Sequence, residues 1–352
     1  MPKLFRNLCL LLCLFVVLAV GWHLTRPTPK PSEPALRHSF TTALERAHNG
    51  QPGAARVLYQ QLARSDLSPI RRISLLAELP NYPSPQALKL VSADLKDSQQ
   101  LLVRHGAIDA VARLVPDAQR SLLLGPLLDD DDQDIRFHAA RALLGLSPDD
   151  VGLYFARLEA VLDEYVQALI STPDDADGQL QLAKIYLYDD DYTQALAVLK
   201  HARTLEPGDL ETVAVQVRVL EKQGQNDASR QLLAEQLIAH PDSAMLQHEL
   251  GQWLIRHGQG EYALLALARA SELEPDNSSY RYDLAVTLHQ LDQVDAAQRQ
   301  LDEILRRQPA NRKARILLID YWKQTGQLQN VQVLLAELEQ QNPDDPALQQ
   351  GL

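Results

Sequence analysis

Cysteine is almost missing from this chain. Of 352 residues only Cys9 and Cys13 carry thiols, both within the first 13 positions. The rest of the chain therefore holds no disulfide and no thiol site. Aromatic residues make up 5% and glycine supplies 15 residues. That disfavours a β-sandwich and suits an all-helical chain. No GxSxG, P-loop, HExxH or CxxC motif occurs. With no nucleophile elbow, phosphate loop or zinc helix, the reading is a non-enzyme that takes no cofactor or metal. A surplus of positive charge is lacking too: 34 basic against 46 acidic residues leave −12. Nothing basic is left over to displace counterions, which argues against nucleic acid as a partner.

What is present is a ladder of prolines. Pro173, Pro207, Pro241, Pro275, Pro309 and Pro343 stand 34 residues apart without slippage. Proline cannot continue a helix, so each ends one. Two residues later come Asp175, Asp209, Ser243, Asn277, Asn311 and Asp345, all suited to accept from the free N–H groups of the next helix start. Small residues (Ala183, Ala195, Ala202; Gly251, Ala263, Ala270) recur where two helices must touch, with Leu182, Tyr186, Leu199, Leu250, Leu254 and Leu267 between them. Gly224, Gly258 and Gly326 mark bends within the units.

A strict 34-residue helix-turn-helix period, with runs such as ALLALARASELEPDN and QALAVLKHARTLEPGD, resembles tetratricopeptide repeats: five of them over 173–345, with 346–352 as a tail. Ser229 and Val331 stand where alanine is usual, and Gln236, Ile304 and Leu338 replace a later small residue. The resemblance implies a superhelical solenoid whose first helices line a concave groove. By position the groove residues are Lys184 and Tyr188, then Arg218 and Lys222, then Met245, His248, Gln252 and Arg256, then Tyr282 and His289. Lys184, Arg218, Lys222 and Arg256 follow one another along this face. They imply capture of an extended or helical peptide with acidic side chains or a free C-terminus.

The N-terminus reads MPKLFRN followed by an apolar run from Leu8 to Val20, extended through Leu24. Residues 1–24 are a transmembrane anchor or a secretory signal. Ala19-Val20-Gly21 is a poor cleavage site and Trp22 suits a membrane interface, which favours the uncleaved anchor, with the N-terminus inside and the body outside. Residues 25–36 form a Pro-rich linker, an extended stalk. Residues 1–34 hold 4 basic and 1 acidic residue, so the body carries 30 basic against 45 acidic.

From 37 to 146 a looser repeat runs through Ile70-Arg71, Val103-Arg104 and Ile135-Arg136, with Asp97 and Asp129 each seven residues before an arginine. IRRISLLAEL, VRHGAIDAVARL and IRFHAARALLGL resemble HEAT-type helical repeats. Ser68-Pro69, Ser84-Pro85 and Ser147-Pro148 read as N-cap and first helical residue. A linking helix within 147–172 spans Pro148 to Ile170, burying Leu158, Val161, Leu162, Tyr165 and Leu169. The acidic runs 129–134 and 189–191 lack the glycine and terminal glutamate of an EF-hand and read as turns.

The order of these parts, with GPLLDDDDQDIRFHAARALLGL and LARASELEPDNSSYRYDLAVTL, is similar to the C-terminal half of bacterial multihaem c-type cytochrome proteins. It is similar too to membrane-anchored tetratricopeptide subunits of cytochrome c assembly. No CxxCH motif is present, so any haem would belong to a partner. The expectation is an all-α double solenoid on an N-terminal transmembrane helix, single-pass in the inner membrane with its body in the periplasm. It would be a scaffold whose partner is a protein or peptide, such as a c-type cytochrome or its assembly machinery. Envelope polysaccharide export or pilus assembly is the alternative setting.

Overall fold

A computed structural model describes residues 39–96 and 99–349; the expected anchor, the Pro-rich linker and Asp97 lie outside them. All regular structure among the described residues is helical. The first half contains α1 (Phe40–His48), α2 (Ala54–Leu62), α3 (Pro69–Glu78), α4 (Pro85–Leu95), α5 (Leu101–Leu114), α6 (Asp117–Leu124), α7 (Gln133–Leu143), the short α8 (Pro148–Val151) and α9 (Phe155–Ile170). Five antiparallel pairs follow: α10 (Ala176–Tyr188) with α11 (Tyr192–Leu205), α12 (Leu210–Lys222) with α13 (Asn226–Ala239), α14 (Ala244–Arg256) with α15 (Gly260–Leu273), α16 (Ser278–Gln290) with α17 (Val294–Arg307), and α18 (Arg312–Gln324) with α19 (Leu328–Gln341). A last turn, α20, covers Pro346–Gln349. Among the described residues no helix is long and apolar enough to cross a membrane.

The ladder prolines fall in the turns between pairs, and the capping logic holds at five of six starts. Asp209 accepts from Glu211 and Thr212 N–H, Ser243 from Leu246, Asn277 from Ser279, Asn311 from Ala314 and Asp345 from Ala347. Asp175 precedes α10 without a side-chain cap bond. The bends share one conformation. Gly224, Gly258 and Gly326 have φ of 82°, 72° and 73°, the left-handed region that glycine enters without a Cβ penalty. In the other two pairs Asp190 (57°) and Asp292 (58°) occupy the same 34-residue register.

Ala183, Ala195, Ala202, Ala263, Ala270 and Leu267 are buried, and Gly251 lies against Leu267. Leu250 is only half-buried, a correction to the sequence expectation. Ser229, in place of alanine, is fully buried and its hydroxyl accepts from the Trp253 indole N–H at 3.0 Å.

In the first half the arginine row differs from the sequence pattern at its first member, where Arg72 stands in place of Arg71. Arg72, Arg104 and Arg136 are each the fourth residue of α3, α5 and α7. Each donates to a main-chain carbonyl: Arg64 at 2.8 Å, Leu95 at 2.9 Å and Asp130 at 2.8 Å. Each also pairs with a later carboxylate: Asp94 at 2.7 Å, Asp130 at 3.0 Å and Glu164 at 2.5 Å. Arg104 beside Asp130 holds that carboxyl below the usual range. Arg71 instead sits over the Phe40 ring, 5.3 Å from its centroid. The linking helix is broken. Gly152 at φ 58° separates α8 from a 3-10 turn and α9, although Leu158, Val161, Leu162, Tyr165 and Leu169 are all buried in α9.

The two ends of the 40–349 array meet. Gly53 N–H donates to the Gln340 carbonyl at 2.7 Å, and the Asn342 side chain donates to the Pro83 carbonyl at 2.8 Å. Ala310 joins the buried apolar cluster formed by the N-terminal half.

Candidate functional site

The first helix of each pair carries the expected groove residues. The structure joins most of them to the neighbouring pair through side-chain contacts. Lys184 Nζ lies 2.7 Å from Glu211 Oε1. Arg256 donates to both oxygens of Glu221, at 3.2 and 2.6 Å, and to Glu249 at 3.0 Å. Arg218 stands 3.9 Å from Glu249 and donates to its own Ala214 carbonyl. Burial works against the Arg256 charge, but Glu221 and Glu249 outweigh it and hold its pKa above the ordinary value. Three of the four basic residues expected to meet a ligand thus have a carboxylate within 4 Å. Lys222 is exposed at the end of α12.

The remaining groove residues follow a related pattern. His248 Nε2 lies 2.7 Å from Asp283, which also accepts from Gln252 at 3.1 Å. The His248 ring approaches Tyr280 at 4.8 Å. His289 bonds Gln324 at 3.0 Å and stacks on Tyr321 at 3.8 Å with an 8° tilt. Burial, with Tyr282 and Asp320 nearby, pushes the Tyr321 phenol up to about 12. Lys313 Nζ sits 4.0 Å above the Tyr282 ring. Met245 is exposed. Tyr188, half-buried, packs toward the N-terminal core, and burial with Glu159 raises its pKa.

Sequence reasoning missed Glu249, Asp283, Lys313, Tyr321 and Gln324 as partners of these residues. A signal was available. The links Glu221–Arg256, His248–Asp283 and His289–Gln324 all span 35 residues, one period plus one. A period-wide search for complementary side chains would have found them. What the rows offer a ligand is a mixed polar face with charge already balanced, plus exposed Met245 and Lys222. Among the described residues no group of three or more His, Cys, Asp or Glu is placed to hold a metal ion.

This geometry has counterparts. The tetratricopeptide repeat family model matches residues 186–248 and 254–317, so these stretches are tetratricopeptide repeats. Such an array is a scaffold for protein–protein interaction. Among solved structures the chain is similar to YrrB, described as a TPR protein with an unusual peptide-binding site: 18% identity, TM-score 0.36, covering 54% of this chain and 97% of that one. It is similar to MamA at 15% identity and TM-score 0.37, covering 51% and 92%. It is similar to yeast Tom70 at 14% and 0.49, covering 92% and 65%. No curated protein matches the chain.

Proposed function

We propose that the protein is a membrane-anchored scaffold that holds a segment of a partner protein along the first-helix rows of its repeats. The observation that carries this reading is that the first-helix rows of five successive helix pairs are linked from repeat to repeat by side-chain contacts, the arrangement by which helical solenoids present extended binding surfaces. The charge balance within the rows changes the kind of partner. With Lys184 and Arg256 committed to carboxylates, an acidic peptide gains little from them. A segment with apolar side chains for Met245 and amide or hydroxyl groups for Gln252 and Gln290 suits the face better.

The apolar run over residues 8–20 supports anchoring, and its flanks support a body in the periplasm. The resemblance of residues 125–146 to multihaem cytochrome proteins supports a partner among c-type cytochromes or their assembly machinery. N-terminal sequencing of membrane-extracted protein tests the anchor: a mature start near Trp22 overturns it. Photo-crosslinkers at Met245 and Gln252, set against one at Leu265, which is exposed on the second helix of the same pair, test the surface. The expected result is one protein captured from both first-helix positions and lost in the Lys222→Glu, Met245→Lys variant with its helical content intact. Capture from Leu265 alone, or unchanged capture by that variant, overturns the assignment. Neighbouring genes coding for haem-motif proteins would favour the cytochrome setting; glycosyltransferases or pilins would favour the alternatives.

A further inference from the structure

The residue after each ladder proline breaks its pattern once. Asp174, Gly208, Asp242, Asp276 and Asp344 are exposed, as expected of a turn between repeats. Ala310 is the apolar exception and is 4% exposed, packed into the core of the N-terminal half. One register earlier the same break appears. Thr172, Glu206, His240 and Glu274 are exposed and Gln308 is half-buried, whereas Asn342 is 1% exposed and reaches the Pro83 carbonyl. The turns of the last repeats are therefore specialised, by sequence and by burial, to meet the turns at 50–53 and 82–84.

We propose that this seam is a clasp, which opens while both halves of the array stay folded and so admits a partner segment sideways to the first-helix rows. The consequence for access rests on the function proposed above; the opening itself does not.

The composition of the seam sets it apart from the interfaces between neighbouring pairs. Those bury leucine and alanine along helices, as α15 and α16 do through Leu267, Leu284, Ala285 and Leu288. The seam is made at turns: a main-chain bond (Gly53 to Gln340), a side-chain bond (Asn342 to Pro83), the small side chain of Ala310 and the close approach of Gly50 to the Pro309 main chain join there. Asn342 Oδ1 is buried there with no hydrogen-bond partner, an uncompensated loss that opening to water would relieve. A cleft of 440 Å³ runs along the junction beside Gly50, Pro52, Pro309, Arg315 and Gln340. An interface made at turns, with a buried polar atom left unpaired, opens before the packed arrays around it.

The test uses the full chain with Cys9→Ser and Cys13→Ser, spin-labelled at Pro52→Cys and Gln340→Cys. Ala310→Asp restores the residue found at most other turns, so it should leave the repeat itself intact. The expected result is a short label-to-label distance in the parent and a longer, broader one in Ala310→Asp. Hydrogen exchange at the Gly53 amide should rise at least tenfold, with the α12 amides and the circular dichroism unchanged. Gly50→Ala should open the seam too, because its Cβ would stand 2.8 Å from the Pro309 carbonyl carbon. Gly53→Ala is the control: it shares the positive φ, 73° against 57°, but its Cβ would meet nothing within 4 Å. Unchanged distance and Gly53 exchange in Ala310→Asp would overturn the proposal. So would loss of the α12 amides together with the seam, which would make the junction part of one cooperative core, or equal behaviour of the two glycine variants. None of these readouts involves a partner, so they fail or succeed separately from the capture experiment.

Discussion

Gly251 lies so close to Leu267 that a Cβ on it would stand 2.6 Å from the Leu267 Cδ2 and Cγ atoms. The contact leaves no room for a Cβ between α14 and α15, so a side chain at 251 must displace Leu267 or move the helices apart. Gly251→Ala is expected to destabilise by about 1–3 kcal/mol through overpacking. Leu267→Ala, at a fully buried site, should lose about 2–5 kcal/mol. Leu250→Ala should lose less, since Leu250 keeps part of its surface in water. Urea unfolding of the three variants checks the order. A Leu250→Ala loss as large as that of Leu267→Ala would mean the helix faces are misassigned.

The bends carry a second expectation. Asp292 holds φ 58° where three of the other four pairs use glycine. Left-handed backbone is unfavourable for residues with a Cβ, though asparagine and aspartate tolerate it best. Asp292→Gly should therefore stabilise, by up to about 1 kcal/mol, the loss of unfolded-chain restraint offsetting part of the gain. Asp190→Gly should gain less, because Asp190 Oδ1 accepts from the Tyr192 hydroxyl at 2.6 Å and that bond would go. Thermal unfolding midpoints compare the two directly. A drop for Asp292→Gly would show that its side chain does more than occupy the turn.

These bends show what a sequence can and cannot disclose. Pro207, Pro241 and Pro275 announce the helix pairs because proline acts on its own backbone, and Asp209 or Ser243 caps locally for the same reason. Asp190 and Asp292 were hidden by residue type: only the register reveals that they substitute for glycine. Gly152 ends α8 by a local conformation that a helical pattern of apolar residues masks. Arg104 and Arg136 are legible, but the first member of their row is Arg72 and not Arg71, because Ile70, Val103 and Ile135 all precede an arginine. The side-chain partners, not the chain, decide which arginine is equivalent. The groove suffered most. Lys184, Arg218 and Arg256 were legible as a basic row, but whether a cation is spent on a neighbour depends on side chains one repeat away. Ring closure depends on the accumulated superhelical turn of all the pairs, and only the Ala310 exception hinted at it.

Arg256 is a structural cation before it is a ligand-binding one. It neutralises Glu221 and Glu249, each with a side chain 10% exposed. Arg256→Leu leaves two shielded carboxylates without their donor, and about 1–3 kcal/mol should be lost. Arg256→Glu should be worse, since it adds a third negative charge to the pair. Lys222→Glu, at an exposed helix end, should stay within about 0.5 kcal/mol of the parent. Denaturant unfolding at constant salt tests the series. It also decides which variants are fit for binding assays: a partner lost only in Arg256→Glu would report on folding rather than on recognition.

The last expectation concerns acid. His138 Nε2 lies 2.8 Å from Asp109 Oδ1, and its Nδ1 lies 2.5 Å from His105 Nδ1 across stacked rings. One arrangement satisfies all three groups: neutral His138 donates from Nε2 to Asp109 and accepts at Nδ1 from the His105 N–H. A second proton on His138 would have to displace the His105 donor. Burial lowers the His138 pKa, and the nearby Arg141 and His105 add to this against the opposing Asp109 carboxylate. In the unfolded chain His138 takes up its proton near the ordinary value of about 6.5. The unfolded state therefore binds more protons than the folded one as pH falls through that value. Stability present above it is lost as pH drops through it, and the loss levels off below the depressed folded pKa. Urea midpoints between pH 8 and pH 5 should fall for the parent and fall less for His138→Gln, which keeps a donor for Asp109 and cannot be protonated. Parallel curves for the two proteins would place the acid sensitivity elsewhere than in the His105–His138 pair.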